Sequence, residues 1–291
     1  MMPVVASFFH DATSTWTHVA SDPASAAAVV IDPVLDFDPS SGRLGTVAVQ
    51  QVLEHLRAQR LDLQWILETH AHADHLTAAA WLREQTGAPV AIGAGIVQVQ
   101  ATFKRLLNLG EEFVADGSQF DRLLHDGEVL PLGGLSVQAL ATPGHTADGM
   151  SYRIGDAVFI GDTLFSPASG SARCDFPGGD AATLYASVQR LYGLPDSTRL
   201  YLCHDYPAAG GTPRSEVPMP EQRHDNAHLR GDVAAAEFVA LRQRRDATLA
   251  VPRLLWPALQ VNLRGGRLPP EERTGQRFLK LPLDASALEQ G

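Results

Sequence analysis

Only two cysteines, Cys174 and Cys203, occur in 291 residues. Two thiols cannot build a multi-bridge disulfide framework, so a reducing compartment is expected. Basic residues are scarce as well: 23 Lys and Arg stand against 33 Asp and Glu, a formal net charge of -10. That balance excludes the clustered cations needed to neutralise nucleic-acid phosphates or to hold an anionic membrane surface. No window approaches the roughly 18–20 apolar residues that a membrane span needs. From Met1 to Trp16 no basic stretch is followed by a long apolar one, so no signal peptide is expected and the protein reads as cytoplasmic. No low-complexity tract, short-period repeat or clean linker interrupts the chain.

What is there is an ordinary globular composition, 45% hydrophobic and 19% charged, with enough apolar material for a core. Short apolar runs predict strands at 26–31, 63–67, 89–92, 135–141, 157–160 and 200–203. Helical spacing is found over 46–59, where Val49, Val52, Leu53 and Leu56 share one side. Further helices are predicted at 76–85 and at 180–191, with Asp180 as the N-cap. This alternation predicts a layered α/β fold. Past Pro220 the pattern changes: 221–245 reads as one helix, and the chain from Val251 is Pro-rich and irregular. We therefore expect a main domain over 1–220 and an extension over 221–291 packed on it.

The eleven histidines are the unusual abundance. Thr69-His70-Ala71-His72-Ala73-Asp74-His75 follows the predicted strand 63–67 directly. Three imidazoles and a carboxylate within six positions are costly to bury without a metal, and as donors they suit Zn2+ or Fe2+. His70 and His72 can point to one side of the loop, whereas Asp74 and His75 open the next helix and face another point. A polar capping loop is the plainer alternative. Thr142-Pro143-Gly144-His145-Thr146, Gly161-Asp162-Thr163-Leu164-Phe165 and Cys203-His204-Asp205-Tyr206 each follow a predicted strand. Taken singly, His145 reads as a hydrogen-bonded loop histidine and Asp162 as a turn residue. Their order and strand-end placement behind the His70 cluster make His145, Asp162 and His204 candidate ligands.

The order HxHxDH, then His, Asp and His, resembles the metallo-β-lactamase superfamily over roughly 32–206. That resemblance implies a four-layer αββα sandwich with metal held at one edge between two sheets, and it leaves the reaction open. The stretch GDTLFSPASGSARCDFPGG at 161–179 is similar to persulfide dioxygenases, as is Asp116-Gly117-Ser118-Gln119-Phe120-Asp121-Arg122-Leu123. The tail adds Glu221-Gln222-Arg223, Gln260-Val261-Asn262-Leu263-Arg264, Leu268-Pro269-Pro270 and Leu279-Lys280-Leu281-Pro282. Together these resemble the bacterial β-lactamase-like hydrolase group of persulfide dioxygenases.

The resemblance implies one Fe(II) per chain, held by His70, His145 and Asp162 as catalytic triad, with positions open to substrate and O2. The implied reaction oxidises glutathione persulfide with O2 to sulfite and glutathione, a step of sulfide detoxification. His72, Asp74, His75 and His204 then orient ligands and water or form a second metal site. Counting donors alone favours two Zn ions and the thioester hydrolysis of the related glyoxalase II. The ARCDF segment and the tail point away from that alternative. A non-enzymatic metal-bound sensor is a third reading, against which the complete ligand set counts. Glyoxalase II grips glutathione at the positions of Arg173 and Tyr206, which become the substrate candidates here. Arg214 and Lys280 are further candidates, with surface ion pairs as the alternative for all three cations. Cys174 reads as a packed loop thiol before a persulfide relay, and Cys203 as core. A homodimer is the default assembly.

Overall fold

The computed structural model describes residues 2–207 and 210–284. The chain opens with a hairpin, β1 (Val4–His10) and β2 (Thr15–Ser21), followed by β3 (Ala27–Ile31), β4 (Val34–Asp38) and β5 (Arg43–Gly45). Helix α1 (Val47–Ala58) leads to β6 (Asp62–Leu67) and the two-residue β7 (Leu76–Thr77). Then come α2 (Ala79–Thr86), β8 (Val90–Gly93), α3 (Ile96–Leu106) and β9 (Arg122–Leu124). Strands β10 (Val129–Leu132), β11 (Leu135–Ala141), β12 (Met150–Ile154) and β13 (Ala157–Phe159) form a meander. The remainder is α4 (Ala181–Tyr192), β14 (Arg199–Tyr201), β15 (Glu216–Pro218), α5 (Met219–Asp225), α6 (Ala235–Asp246) and α7 (Leu255–Asn262).

Two six-stranded sheets result, ordered β1-β2-β3-β6-β8-β9 and β10-β11-β12-β13-β14-β15, with a small third sheet β5-β4-β7. The period of two along a strand sorts side chains into layers. Val30 and Ile66 face helices α1, α2, α3 and α7, packing with Val52, Leu82, Phe103 and Leu259. Their neighbours Val29, Ile31 and Leu67 face the other sheet and meet Leu132, Tyr152 and Phe159. On the far side Val158, Ile160 and Leu200 pack against Leu184 and Val188 of α4 and Phe238 of α6. Three apolar interfaces between four layers make the αββα sandwich. No helix among the described residues is long and apolar enough to cross a membrane.

Most predicted elements lie within a residue or two of their observed bounds, and Asp180 caps α4 by accepting from Thr183 N. Three expectations need correction. The segment 76–85 is not one helix, because Leu76 and Thr77 pair with Leu35 and Val34 before α2 begins. The segment 221–245 breaks after Asp225: the Asn226 side chain accepts from His228 N and Leu229 N, a local bond that competes with helix continuation. The supposedly irregular tail holds α7, whose Pro257 sits in the first turn, where no intrahelical N–H partner is lost. Helix α3 and the β1–β2 hairpin went unpredicted.

Candidate metal centre

The candidate ligands stand in the loops beyond strand ends, and His70, His145 and His204 are each aimed by a neighbour. Asp32, at the end of β3, accepts from Thr69 N (2.8 Å) and Thr69 Oγ1 (2.9 Å), which fixes the exit of β6. Thr69 Oγ1 in turn lies 3.1 Å from His70 Nδ1. Asp148 Oδ2 accepts from Ala71 N at 2.8 Å, holding the backbone between His70 and His72. His145 leaves β11 through Gly144, whose φ is +133°. A Cβ there would lie 2.3 Å from Leu184 N, so only glycine fits. His145 Nδ1 donates to the Arg173 carbonyl at 2.7 Å, and His204 Nδ1 donates to the Ser14 carbonyl at 3.1 Å. An imidazole that donates at Nδ1 keeps its Nε2 lone pair free.

Those free nitrogens converge. Asp162 Oδ2 is 3.6 Å from His145 Nε2 and 3.9 Å from His70 Nε2. Asp162 Oδ1 is 3.3 Å from His204 Nε2, which lies 3.2 Å from Asp74 Oδ2. His75 Nδ1 is 3.6 Å from Asp74 Oδ1. Two donor groups emerge, His70–His145–Asp162 and His72–Asp74–His75–His204, and within each the ligating atoms lie within 4.8 Å of one another. Cys203 joins a further group with His72, Asp162 and His204, and its thiol sits 3.8 Å from Asp32 Oδ2.

The donors fit a divalent cation. His70 Nε2, His204 Nε2, Asp162 Oδ1 and both ring nitrogens of His72 and His75 are buried without a hydrogen-bond partner. Even at 3.1 Å from Asp32 Oδ1, His72 Nε2 is not aligned to bond it. Ligands about 2.1 Å from a shared ion sit roughly 3–3.4 Å apart; the donor atoms here lie between 3.1 and 3.9 Å from one another. So many orphaned polar atoms are too costly to bury unless something charged binds among them. Burial, followed by the neighbouring His72, holds His70 well below the usual imidazole range. Burial and then His75 do the same for His72. A neutral imidazole is the ligating form. Burial raises the Asp162 carboxyl, while His204 and His145 oppose the rise.

A cavity of about 480 Å³ opens onto this cluster, lined by Asp74, His145 and Asp162 and also by Arg173 and Tyr206. Tyr206 is half-exposed and lies parallel to the His204 ring, centroids 5.9 Å apart. The Arg173 guanidinium is bidentate to Asp175 (2.6 Å each), donates to the Ala250 carbonyl (2.7 Å) and covers Phe176 at 5.1 Å. Arg214 and Lys280 are not among the lining residues. Arg214 is bidentate to Glu221, and Lys280 Nζ donates to the Asn108 carbonyl at 2.7 Å beside a separate apolar groove. Burial pushes the Cys174 thiol up to about 12, which disfavours the thiolate.

The sequence reading missed the wall that α6 supplies. Arg242 and Arg245 line the cavity, as do His228 and Phe165. Buried Arg242 donates to the Ser171 carbonyl (3.0 Å) and pairs with Asp246, which accepts from Cys174 N (2.9 Å). The loop carrying Arg173 is thus pinned from α6. Arg245 is exposed and forms none of the ion pairs found among the described residues. The run Arg242, Arg244, Arg245 was visible in sequence, but the Ser171 carbonyl that Arg242 bonds lies 71 residues away.

The sequence model of the metallo-beta-lactamase superfamily matches residues 24–204, and the chain belongs to that superfamily. It is 46% identical to a "probable metallo-hydrolase" of Burkholderia pseudomallei, covering 97% of this chain and 99% of that one. It is 45% identical to a β-lactamase hydrolase-like protein of Agrobacterium fabrum, of whose length it spans only 65% while 97% of this chain is matched. The human mitochondrial persulfide dioxygenase ETHE1 is 30% identical over 89% of this chain and 87% of its own. Among solved structures, ETHE1 from Myxococcus xanthus superposes with a TM-score of 0.72 at 32% identity, covering 91% of this chain and 100% of that one.

Proposed function

We propose that this protein is an iron-dependent persulfide dioxygenase, converting glutathione persulfide, O2 and water to glutathione, sulfite and two protons. One observation carries the reading. The compact donor set His70–His145–Asp162 borders a cavity with a cationic wall, in a chain similar over about nine-tenths of its length to proteins named persulfide dioxygenase ETHE1 and to a solved ETHE1 structure. Two imidazoles and one carboxylate leave coordination positions open and suit Fe(II). A ferrous ion held there supplies the redox chemistry with O2. The chain's own residues do the rest. The Arg173 carbonyl orients His145. Phe165 and Phe176 give the cavity apolar walls, and Tyr206 offers a hydroxyl at the rim. Arg245, and Arg173 on release from Asp175, meet the carboxylates of the tripeptide.

An oxygen electrode tests this directly, with uptake in proportion to glutathione persulfide and none with S-lactoylglutathione. Metal analysis of protein purified without added metal should give iron near one per chain. A second reading, a dinuclear zinc thioester hydrolase, is favoured by the completeness of the group His72–Asp74–His75–His204. Two zinc ions per chain with rapid thioester cleavage and no oxygen uptake would establish it instead.

A further inference from the structure

The five imidazoles of the centre are not held alike. His70, His145 and His204 are each steadied at Nδ1 by a neighbouring oxygen. His72 and His75 have no hydrogen bond at either ring nitrogen, so their orientation must come from the backbone that carries them. That backbone is gripped from the far end of the chain. Asn262, the buried last residue of α7, donates through Nδ2 to the carbonyls of His72 and His75, both at 2.8 Å. Its Oδ1 accepts from Thr77 N, also at 2.8 Å. A carboxamide offers two donors and an acceptor in one plane, and here all three are engaged by a single loop. The turn beyond α7 is itself held, because Gln100 Nε2 donates to the Leu263 carbonyl at 2.9 Å.

We propose that Asn262 is a positioning residue for the His72–Asp74–His75 donors, taking the place of the side-chain anchors that His72 and His75 lack. An aspartate there would turn a carboxylate oxygen onto two carbonyls, and an alanine would leave two carbonyls and an N–H buried without partners. Neither change touches a ligand atom. The inference does not depend on which metal is native or which reaction follows.

Gln260 provides the control. It lies on the same helix and is equally buried, but its amide bonds the tail at Lys280 (2.8 and 2.7 Å) and not the metal loop. Metal-stripped wild type, Asn262→Ala, Asn262→Asp and Gln260→Ala are titrated with Zn2+ against a chromophoric chelator, and the Tm of each stripped protein is recorded. The Asn262 variants are expected to retain zinc about 10- to 100-fold more weakly than wild type, the usual effect of losing a residue that orients a ligand. Cobalt-substituted protein should show an altered visible spectrum in the same variants. Gln260→Ala is expected to lower Tm without moving zinc affinity. Zinc retention at the wild-type level in Asn262→Ala, or an equal loss in Gln260→Ala, overturns the proposal and leaves Asn262 a fold-stabilising residue only. Where Asn262→Ala does not fold, the isosteric Asn262→Asp, which keeps the acceptor for Thr77 N, carries the comparison.

Discussion

The backbone carbonyl of Arg173 accepts a 2.7 Å hydrogen bond from His145 Nδ1, so the residue whose side chain faces the cavity also sets the tautomer of a candidate ligand. The two roles separate on mutation. Arg173→Ala keeps the carbonyl, and the metal content should match wild type. It removes the guanidinium from Asp175, the Ala250 carbonyl and Phe176, and the KM for glutathione persulfide should rise about ten- to hundredfold, for a contact worth roughly 1.5–3 kcal/mol. Elemental analysis and oxygen uptake on one preparation check both halves. Loss of metal in this variant would mean that the guanidinium contacts are needed to keep the carbonyl in place.

Among the described residues Asp162 is the one whose carboxylate approaches His70, His145 and His204 together. Asp162→Ala should therefore empty the centre, with metal below about a tenth of an ion per chain, as the only anionic member of its donor group is gone. The stripped variant should melt no lower than stripped wild type, because a buried carboxylate is removed with it. Full occupancy in the variant would place the ion among other donors.

Arg245 should act on substrate affinity alone. It is exposed at the cavity wall without a carboxylate partner among the described residues. Arg245→Glu is expected to raise KM for glutathione persulfide about tenfold at low salt, less at high salt where the pair is screened, with kcat unchanged. An alkyl persulfide without carboxylates should be handled alike by both proteins. An equal KM increase for the uncharged persulfide counts against an anionic anchor.

Acid should weaken the α6 wall through His228. Burial, then Arg242 and Arg245, lower its pKa from 6.5 to about 4, with Asp246 opposing. The folded state thus keeps His228 neutral, and Nδ1 accepts from Ser171 N at 2.9 Å. A base with a depressed folded pKa contributes stability that is fully present above 6.5 and lost as pH falls toward 4, where the unfolded chain takes up the proton first. The contribution is on the order of 2 kcal/mol. Urea midpoints of metal-stripped protein from pH 7 to 4.5 should show this slope in wild type and a shallower one in His228→Asn. Parallel slopes would remove His228 from the account.

The candidate ligands were legible because each group follows a strand, and the strands announce themselves by short apolar runs. Local signals also gave α1 through Val49, Val52, Leu53 and Leu56, all buried as expected, and the cap at Asp180. What sequence could not show are bonds made across long separations. Asn262 reaches the metal loop over about 190 residues, and Arg242 reaches Ser171 over 71. Polar side chains on the tail carry no periodicity that names their partners, so α6 and α7 looked peripheral when they hold both loops of the site. The two-residue β7 was read as helix for the same reason, its pairing with β4 being a tertiary contact.

The candidate ligands come from both sheets: His70, His72, Asp74 and His75 follow β6 of the first, while His145, Asp162 and His204 follow β11, β13 and β14 of the second. An ion among them is a rivet through two plates, and its grip holds only while the plates stay in register. Occupancy adds to the folding free energy by mass action, so the stripped chain opens first along this edge. There the HxHxDH loop becomes accessible to proteases, and cleavage of the opened form is irreversible. The amount of this protein in a cell should accordingly follow metal supply, with degradation of the empty form as the means.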